Sequence, residues 1–307
     1  MAGMADLEGK DRVIPSVIEN PSLLQSHILS VLQKNCNGKS LFQVEGCKGV
    51  ASSSVMLLLG EQVVREGDPP EVCVILNKRS SMVPQPGDLC CPGGTVEKSL
   101  DPYLAKLLWL PGSPLFRWPY WEQFRSEQPQ RARLMSLLLA AGLRESWEEM
   151  RLNPLFTRFM GPLPAQCLLL FHRIIHPMVG WVSWQKKFVP SWEVEKVVSI
   201  PLRSLFNRFQ YARYRLYVPK SLEKEFHGGT KDFACFLYPH QGETEILWGV
   251  TYKIVTYFMD LLFGFKPPSM DRLPLVPGVL DENYMNGRQS ASIFSARERN
   301  DGNGSGR

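Results

Sequence analysis

Glu148 and Glu149 stand three and four positions beyond Glu145, a spacing that on an α-helix projects all three carboxylates from one face. Gathered without a cation they repel one another, and an oxygen-only set is what Mg²⁺ or Mn²⁺ prefers, with waters and substrate phosphates completing the shell. For such a triplet alone the competing reading is the solvated face of a surface helix. A second element, Pro92-Gly93-Gly94, lets the backbone come close to a phosphate or a helix, because glycine has no Cβ and proline stiffens the approach. By itself that element is a turn.

The acids need a helix to hold them, and residues 133–151 supply the pattern, with Leu134, Leu137, Leu138, Ala141 and Trp147 recurring at helical spacings and the acids in the last turns. An opening helix is expected over 21–33, where Asn20 caps and Pro21 occupies the first turn. Short β-branched or leucine-rich runs predict strands at 55–59, 72–76, 168–175, 178–182, 194–200 and 233–237, and a closing helix follows Trp248-Gly249. The apolar stretch 246–265 carries Lys253 and Asp260, so it predicts an amphipathic core helix and no membrane span. Strands and helices alternate without regular βαβ spacing, which favours an α+β or sandwich arrangement.

With 307 residues, 44% of them hydrophobic, the chain can bury one sizeable core. A flexible segment is expected over 1–20, one domain over 21–265 and a disordered tail over 266–307, which is rich in Pro, Gly, Ser and Asn. The net charge of +5 is mild and evenly spread, which argues against nucleic acid and leaves room for an anionic small molecule. Seven cysteines without a CxxC pair indicate neither a zinc site nor a disulfide framework and suggest a reducing, intracellular compartment. The cytoplasm is the default, with mitochondrion and peroxisome left open, and no local pattern speaks to oligomeric state. The first twenty residues, with Asp6, Glu8, Asp11 and Glu19, lack signal- or transit-peptide character.

Together the acidic helix and the glycine pair resemble the Nudix box, in which a glycine and an early glutamate precede an Arg-Glu, apolar, any, Glu-Glu, any, Gly, apolar run. Gly94, Arg144, Glu145, Glu148, Glu149 and Leu152 match. Leu100 stands in place of the early glutamate with Asp101 beside it, Ser146 replaces an apolar residue, Arg151 replaces the last glycine, and an insertion at about 102–133 separates the halves. That insertion holds Trp109, Phe116, Trp118, Tyr120, Trp121 and Phe124, whose rings need a partner surface: the main core, the substrate, or another subunit.

The flanks are similar to the coenzyme A diphosphatase branch of that superfamily. The segments concerned are Val74-Ile75-Leu76-Asn77-Lys78-Arg79-Ser80, His176-Pro177-Met178-Val179-Gly180, Pro190-Ser191-Trp192-Glu193-Val194 with Pro201-Leu202, and Ile246-Leu247-Trp248-Gly249-Val250-Thr251. The resemblance implies a Nudix fold, an α/β/α sandwich with a mixed central sheet. It implies hydrolysis of a small-molecule diphosphate with Mg²⁺ or Mn²⁺, coenzyme A or acyl-coenzyme A giving adenosine 3′,5′-bisphosphate and a phosphopantetheine. Glu145, Glu148 and Glu149 would be the metal ligands, and Glu148, Glu149 and Glu193 the catalytic carboxylates. Arg79, Gly93 and Gly94 would meet substrate, and Arg144 would fix a carboxylate rotamer. Two alternatives stand beside it: a non-catalytic binding module of the same fold, and an enzyme for another nucleoside diphosphate derivative. His172 and His176 read as ordinary strand residues, Trp248 as core and Lys78 as solvated.

Overall fold

The computed structural model describes residues 14–36, 41–42, 51–168, 173–217 and 229–279, together with Tyr284. Helix α1 (Pro21–Cys36) starts as expected, since Asn20 Oδ1 accepts hydrogen bonds from the Ser22 and Leu23 amides, each at 3.1 Å. Its Leu24, Ile28, Leu29 and Leu32 face is buried.

Strand β1 (Ala51–Gln62) organises the main sheet. One edge pairs twice: its far half runs antiparallel to β2 (Glu71–Arg79), with Leu58 opposite Ile75, and its near half meets a later strand, β4. A two-residue β3 (Leu89–Cys90) extends β2, and β4 (Gly93–Thr95) sets Gly93 opposite Val55 and Gly94 opposite Ser54. Pro92-Gly93-Gly94 is therefore the entry to a strand, and the Met56 amide donates to the Pro92 carbonyl at 2.8 Å.

The segment read from sequence as an insertion folds as α2 (Asp101–Leu107) and α3 (Trp121–Glu127), leading into the long α4 (Pro129–Met150). Its aromatics are core, because Trp118, Trp121 and Phe124 are buried, Trp118 tilts against Phe159 at 5.5 Å, and Trp109 and Trp121 meet edge to face at 5.2 Å. α4 ends where Arg151 adopts a left-handed conformation, φ 56°. Its amide reaches the Trp147 carbonyl and that of Leu152 reaches Ser146, the hydrogen bonding that glycine usually closes at a helix end.

β5 (Thr157–Pro162), β6 (Gln166–Leu168) and β7 (Arg173–Val182) continue the sheet. β7 lies parallel to β1 from Ala51 opposite Arg173 to Gly60 opposite Val182, and β8 (Val194–Pro201) pairs with β2. The one parallel pairing makes the sheet mixed, and with α1 against β5 and α4 across β1, β4 and β7 the class is α+β. Residues 173–182 form one strand where two were expected, because Pro177 sits inside the ladder without ending it. His172 lies outside the described residues.

A second sheet is built from β9 (Tyr211–Tyr217), β10 (Thr230–His240) and β11 (Glu243–Leu247), followed by α5 (Gly249–Phe263) and then β12 (Leu275–Val279), in the order β11-β10-β9-β12. Only part of β10 was expected from sequence. β9 hides its period behind Arg213 and Arg215, which pair with Asp232 on β10. β12 falls in the segment read as a tail, yet it runs parallel to β9, and the Tyr214 ring lies so close over Gly278 that no Cβ fits there. α5 is the expected amphipathic helix, burying Ile254, Val255, Phe258 and Met259 with Lys253 exposed. No helix among the described residues is long and apolar enough to cross a membrane. Cys36, Cys73, Cys90, Cys91 and Cys235 are free thiols, whereas Cys167 is disulfide-bonded, a bridge that the cysteine spacing did not indicate.

Candidate active site

The last two turns of α4 present Glu145 and Glu149 to β4. Gly94 lies directly against the Glu145 carboxylate: a Cβ there would stand 2.4 Å from Glu145 Cδ. At Gly93 a Cβ would meet the backbone of Ser54 and Val55, and φ is +150°. Only glycines let this strand approach both β1 and the acids. Gly94 and Glu145, far apart in the chain, are thus in contact.

Glu149 is buried, and its Oε2 accepts from Asn77 Nδ2 at 2.9 Å and from the Gly93 amide at 3.3 Å. Burial, reinforced by the charge of Glu145, pushes its pKa up to about 8, against the pull of Asn77, Gly93 and Arg79. Glu145 is raised too, mainly by burial and partly by Glu148 and Glu193, while Arg144 opposes the rise. In both acids burial is the leading cause, and a neighbouring carboxylate adds to the rise through the charge it would carry.

Arg144 stands among the acids of the site. Its guanidinium holds Asp101 at 2.8 and 3.3 Å, Glu145 at 3.0 Å, Glu148 at 2.9 Å and the Thr95 carbonyl at 3.1 Å. Burial works against the charge, but Asp101 and the two glutamates hold the arginine's pKa above its ordinary value. Asp101, wholly buried one position after Leu100, is the acid that holds Arg144. Ser146 is buried without penalty because its hydroxyl donates to the Gly142 carbonyl at 2.6 Å.

Glu148, by contrast, is half-exposed and turned to Arg144. Among the described residues no group of three or more His, Cys, Asp or Glu side chains is drawn together as for a metal ion. The acids converge as two, Glu145 and Glu149, with the third alongside.

Glu193 sits in the loop before β8 and comes close enough to raise Glu145. The loop is tied to the site from both sides: Ser191 N donates to the Glu149 carbonyl at 2.7 Å and Ser80 N to the Glu193 carbonyl at 2.9 Å. Arg79, at the end of β2, donates through Nε to the Pro84 carbonyl at 2.7 Å and lies near enough to lower the pKa of Glu149. Lys78 is not simply solvated but pairs with Glu195, Glu243 and Glu245.

Sequence reasoning passed over Asn77 and Asp88. Asn77 closes the buried run that begins at Val72, and a polar residue buried there implies a buried partner, here Glu149. Asp88 accepts from Trp248 Nε1 at 2.9 Å and from the Tyr284 hydroxyl at 2.7 Å, with its pKa pushed up by burial to about 6. No local pattern links those three positions. Trp248 is packed against Tyr214 and Phe233, in keeping with a core role.

Fold and site define an α+β domain with paired carboxylates on a helix facing a glycine strand. No family model matches the chain, and no curated protein matches it in sequence. Solved structures similar to it include a C. elegans Ap4A hydrolase, at 11% identity over 51% of this chain and 83% of that one with a TM-score of 0.31. A MutT protein from Methanosarcina mazei Go1 shares 15% identity over 53% and 83%, TM-score 0.30. A NUDIX hydrolase from Nitrosomonas europaea shares 11% over 74% and 79%, TM-score 0.35.

Proposed function

We propose that this chain is a Nudix-type hydrolase that cleaves the diphosphate linkage of coenzyme A or an acyl-coenzyme A, giving adenosine 3′,5′-bisphosphate and a phosphopantetheine. The observation that carries the proposal is the contact of Gly94 with the Glu145 carboxylate, beside a Glu149 whose Oε1 has no hydrogen bond among the described residues. The donor set fits a hard divalent cation, since it offers carboxylate oxygens that repel one another even with Arg144, Arg79, Asn77 and the Gly93 amide beside them. Glu145, Glu148 and Glu149 would hold Mg²⁺ or Mn²⁺, Glu148 exchanging Arg144 for the ion. The ion, when bound, supplies charge neutralisation on the diphosphate and polarises the attacking water.

The chain's own residues do the rest. The β4 glycines let the Glu145 carboxylate close on the strand, and Arg79 would offer a diphosphate a cation. Water attacks phosphorus, the bridging P–O bond breaks, and the water proton passes to a carboxylate, Glu193 from the tethered loop or Glu149 of the helix. Arg144, held by Asp101, keeps the helix carboxylates in place.

The test is a Mn²⁺-dependent assay with coenzyme A, NADH and ADP-ribose, read by mass spectrometry. Cleavage of coenzyme A that Glu149→Gln and Glu148→Gln each abolish is the expected result. If all three compounds stay intact and Glu148→Gln behaves as the parent chain does, hydrolysis is excluded. The second reading, a binding module, is favoured by the outward turn of Glu148; it predicts a thermal shift with a nucleotide and no products.

A further inference from the structure

Away from the acids, α2 and α4 enclose a groove of about 500 Å³ lined by Ala105, Lys106, Trp109, Arg133, Ser136 and Leu137. Its size falls within that of small-molecule sites. None of these residues belongs to the candidate active site, and none is an acid. The polar atoms at the base are already satisfied: Trp109 Nε1 donates to Ser136 Oγ at 2.8 Å, and that hydroxyl donates to the Ala132 carbonyl at 2.7 Å. The lining left to a ligand is apolar surface flanked by two cations.

Among the described residues those cations have no ion-pair partner. Lys106 and Arg133 are exposed, and the Lys106 ammonium lies over the Tyr103 ring at 5.5 Å. Two unpaired positive charges beside an apolar groove complement a molecule with a greasy body and one anionic end. A nucleoside diphosphate suits it poorly, because most of the lining could not answer its polar atoms.

We propose that the α2–α4 groove binds an amphipathic anion, a medium-length acyl chain ending in a carboxylate. The chain lies along Trp109 and Leu137, and Lys106 and Arg133 hold the head. This site stands independently of the diphosphatase reading.

The experiment is isothermal titration of the full chain with decanoate, decanol and butyrate, below the concentration at which decanoate forms micelles. Decanoate should bind saturably at one site and more tightly than either control. The Lys106→Gln, Arg133→Gln double variant should weaken decanoate about tenfold, as expected for two partly exposed charge contacts, and leave decanol unchanged. Both side chains are exposed, so the variant's melting temperature should match the parent's; should it fall, the two single variants carry the same comparison. Absence of saturable decanoate binding, decanol binding as tight as decanoate, or indifference to the substitutions would overturn the proposal.

Discussion

The Asp101–Arg144 pair ties the insertion to the helix that carries the acids, and Asp101→Asn removes its charge while keeping its shape. Asp101 is fully buried and the Arg144 side chain only 8% exposed, with contacts of 2.8 and 3.3 Å. Breaking a buried pair from one side costs about 3–5 kcal/mol when the survivor is left unmatched. Here Arg144 keeps Glu145, Glu148 and the Thr95 carbonyl, and asparagine can still accept from the Glu97 amide that Asp101 Oδ2 now binds. The expected loss falls to about 2–3 kcal/mol, roughly 5–10 °C in melting temperature for a domain of this size. Urea unfolding with an unchanged m-value would measure it. A double-mutant cycle with Arg144→Met should return a coupling of about 1–3 kcal/mol. A loss below about 1 kcal/mol, or two substitutions that simply add, would refute the assignment of Asp101 as the tether.

Three further outcomes are expected. Gly94→Ala should push the Glu145 carboxylate aside and suppress a Mn²⁺-dependent thermal shift while the fold persists, because Glu145 is partly exposed and can swing away. His176 is buried and its pKa is lowered by burial to about 4; the unfolded chain takes up that proton near pH 6.5 and the folded one does not. Stability should therefore fall as pH drops from 6.5 toward 4, by up to about 3 kcal/mol, and His176→Phe should flatten that part of a denaturation-versus-pH curve. Tyr284→Phe removes the hydroxyl donated to Asp88 and should cost about 1–2 kcal/mol by urea unfolding.

Where a feature rests on neighbours within one element, the sequence revealed it. The helix that carries Glu145, Glu148 and Glu149, the Asn20 cap and the buried face of α5 all follow from local pattern, and each is present, whereas Glu148 turns to Arg144 and leaves the other two acids together. Contacts between distant segments were readable only in part. Asp101 was visible as an acid displaced from Leu100, but its burial against Arg144 depends on how α2 packs on α4. Asn77 carried a signal, a polar residue within a buried run, though not its partner. The strand pairing of β12 and the reach of Tyr284 to Asp88 leave no trace in local composition, since Pro277 and Gly278 look like linker residues until Tyr214 lies across them.

The contact of Gly94 with Glu145 bears on how far the two halves of a site can drift apart along a chain. Joining two points through a flexible loop costs entropy that grows only with the logarithm of its length, about 0.6 kcal/mol for each doubling. Lengthening the connection here therefore raises the closure cost by roughly 1 kcal/mol, and less where the added residues fold. The Asp101–Arg144 pair and the burial of Trp118 and Trp121 can offset more than that. A connecting segment that buries its own aromatics and is clasped by a charge pair where it begins can keep Gly94 against Glu145 however far apart the two stand in the chain.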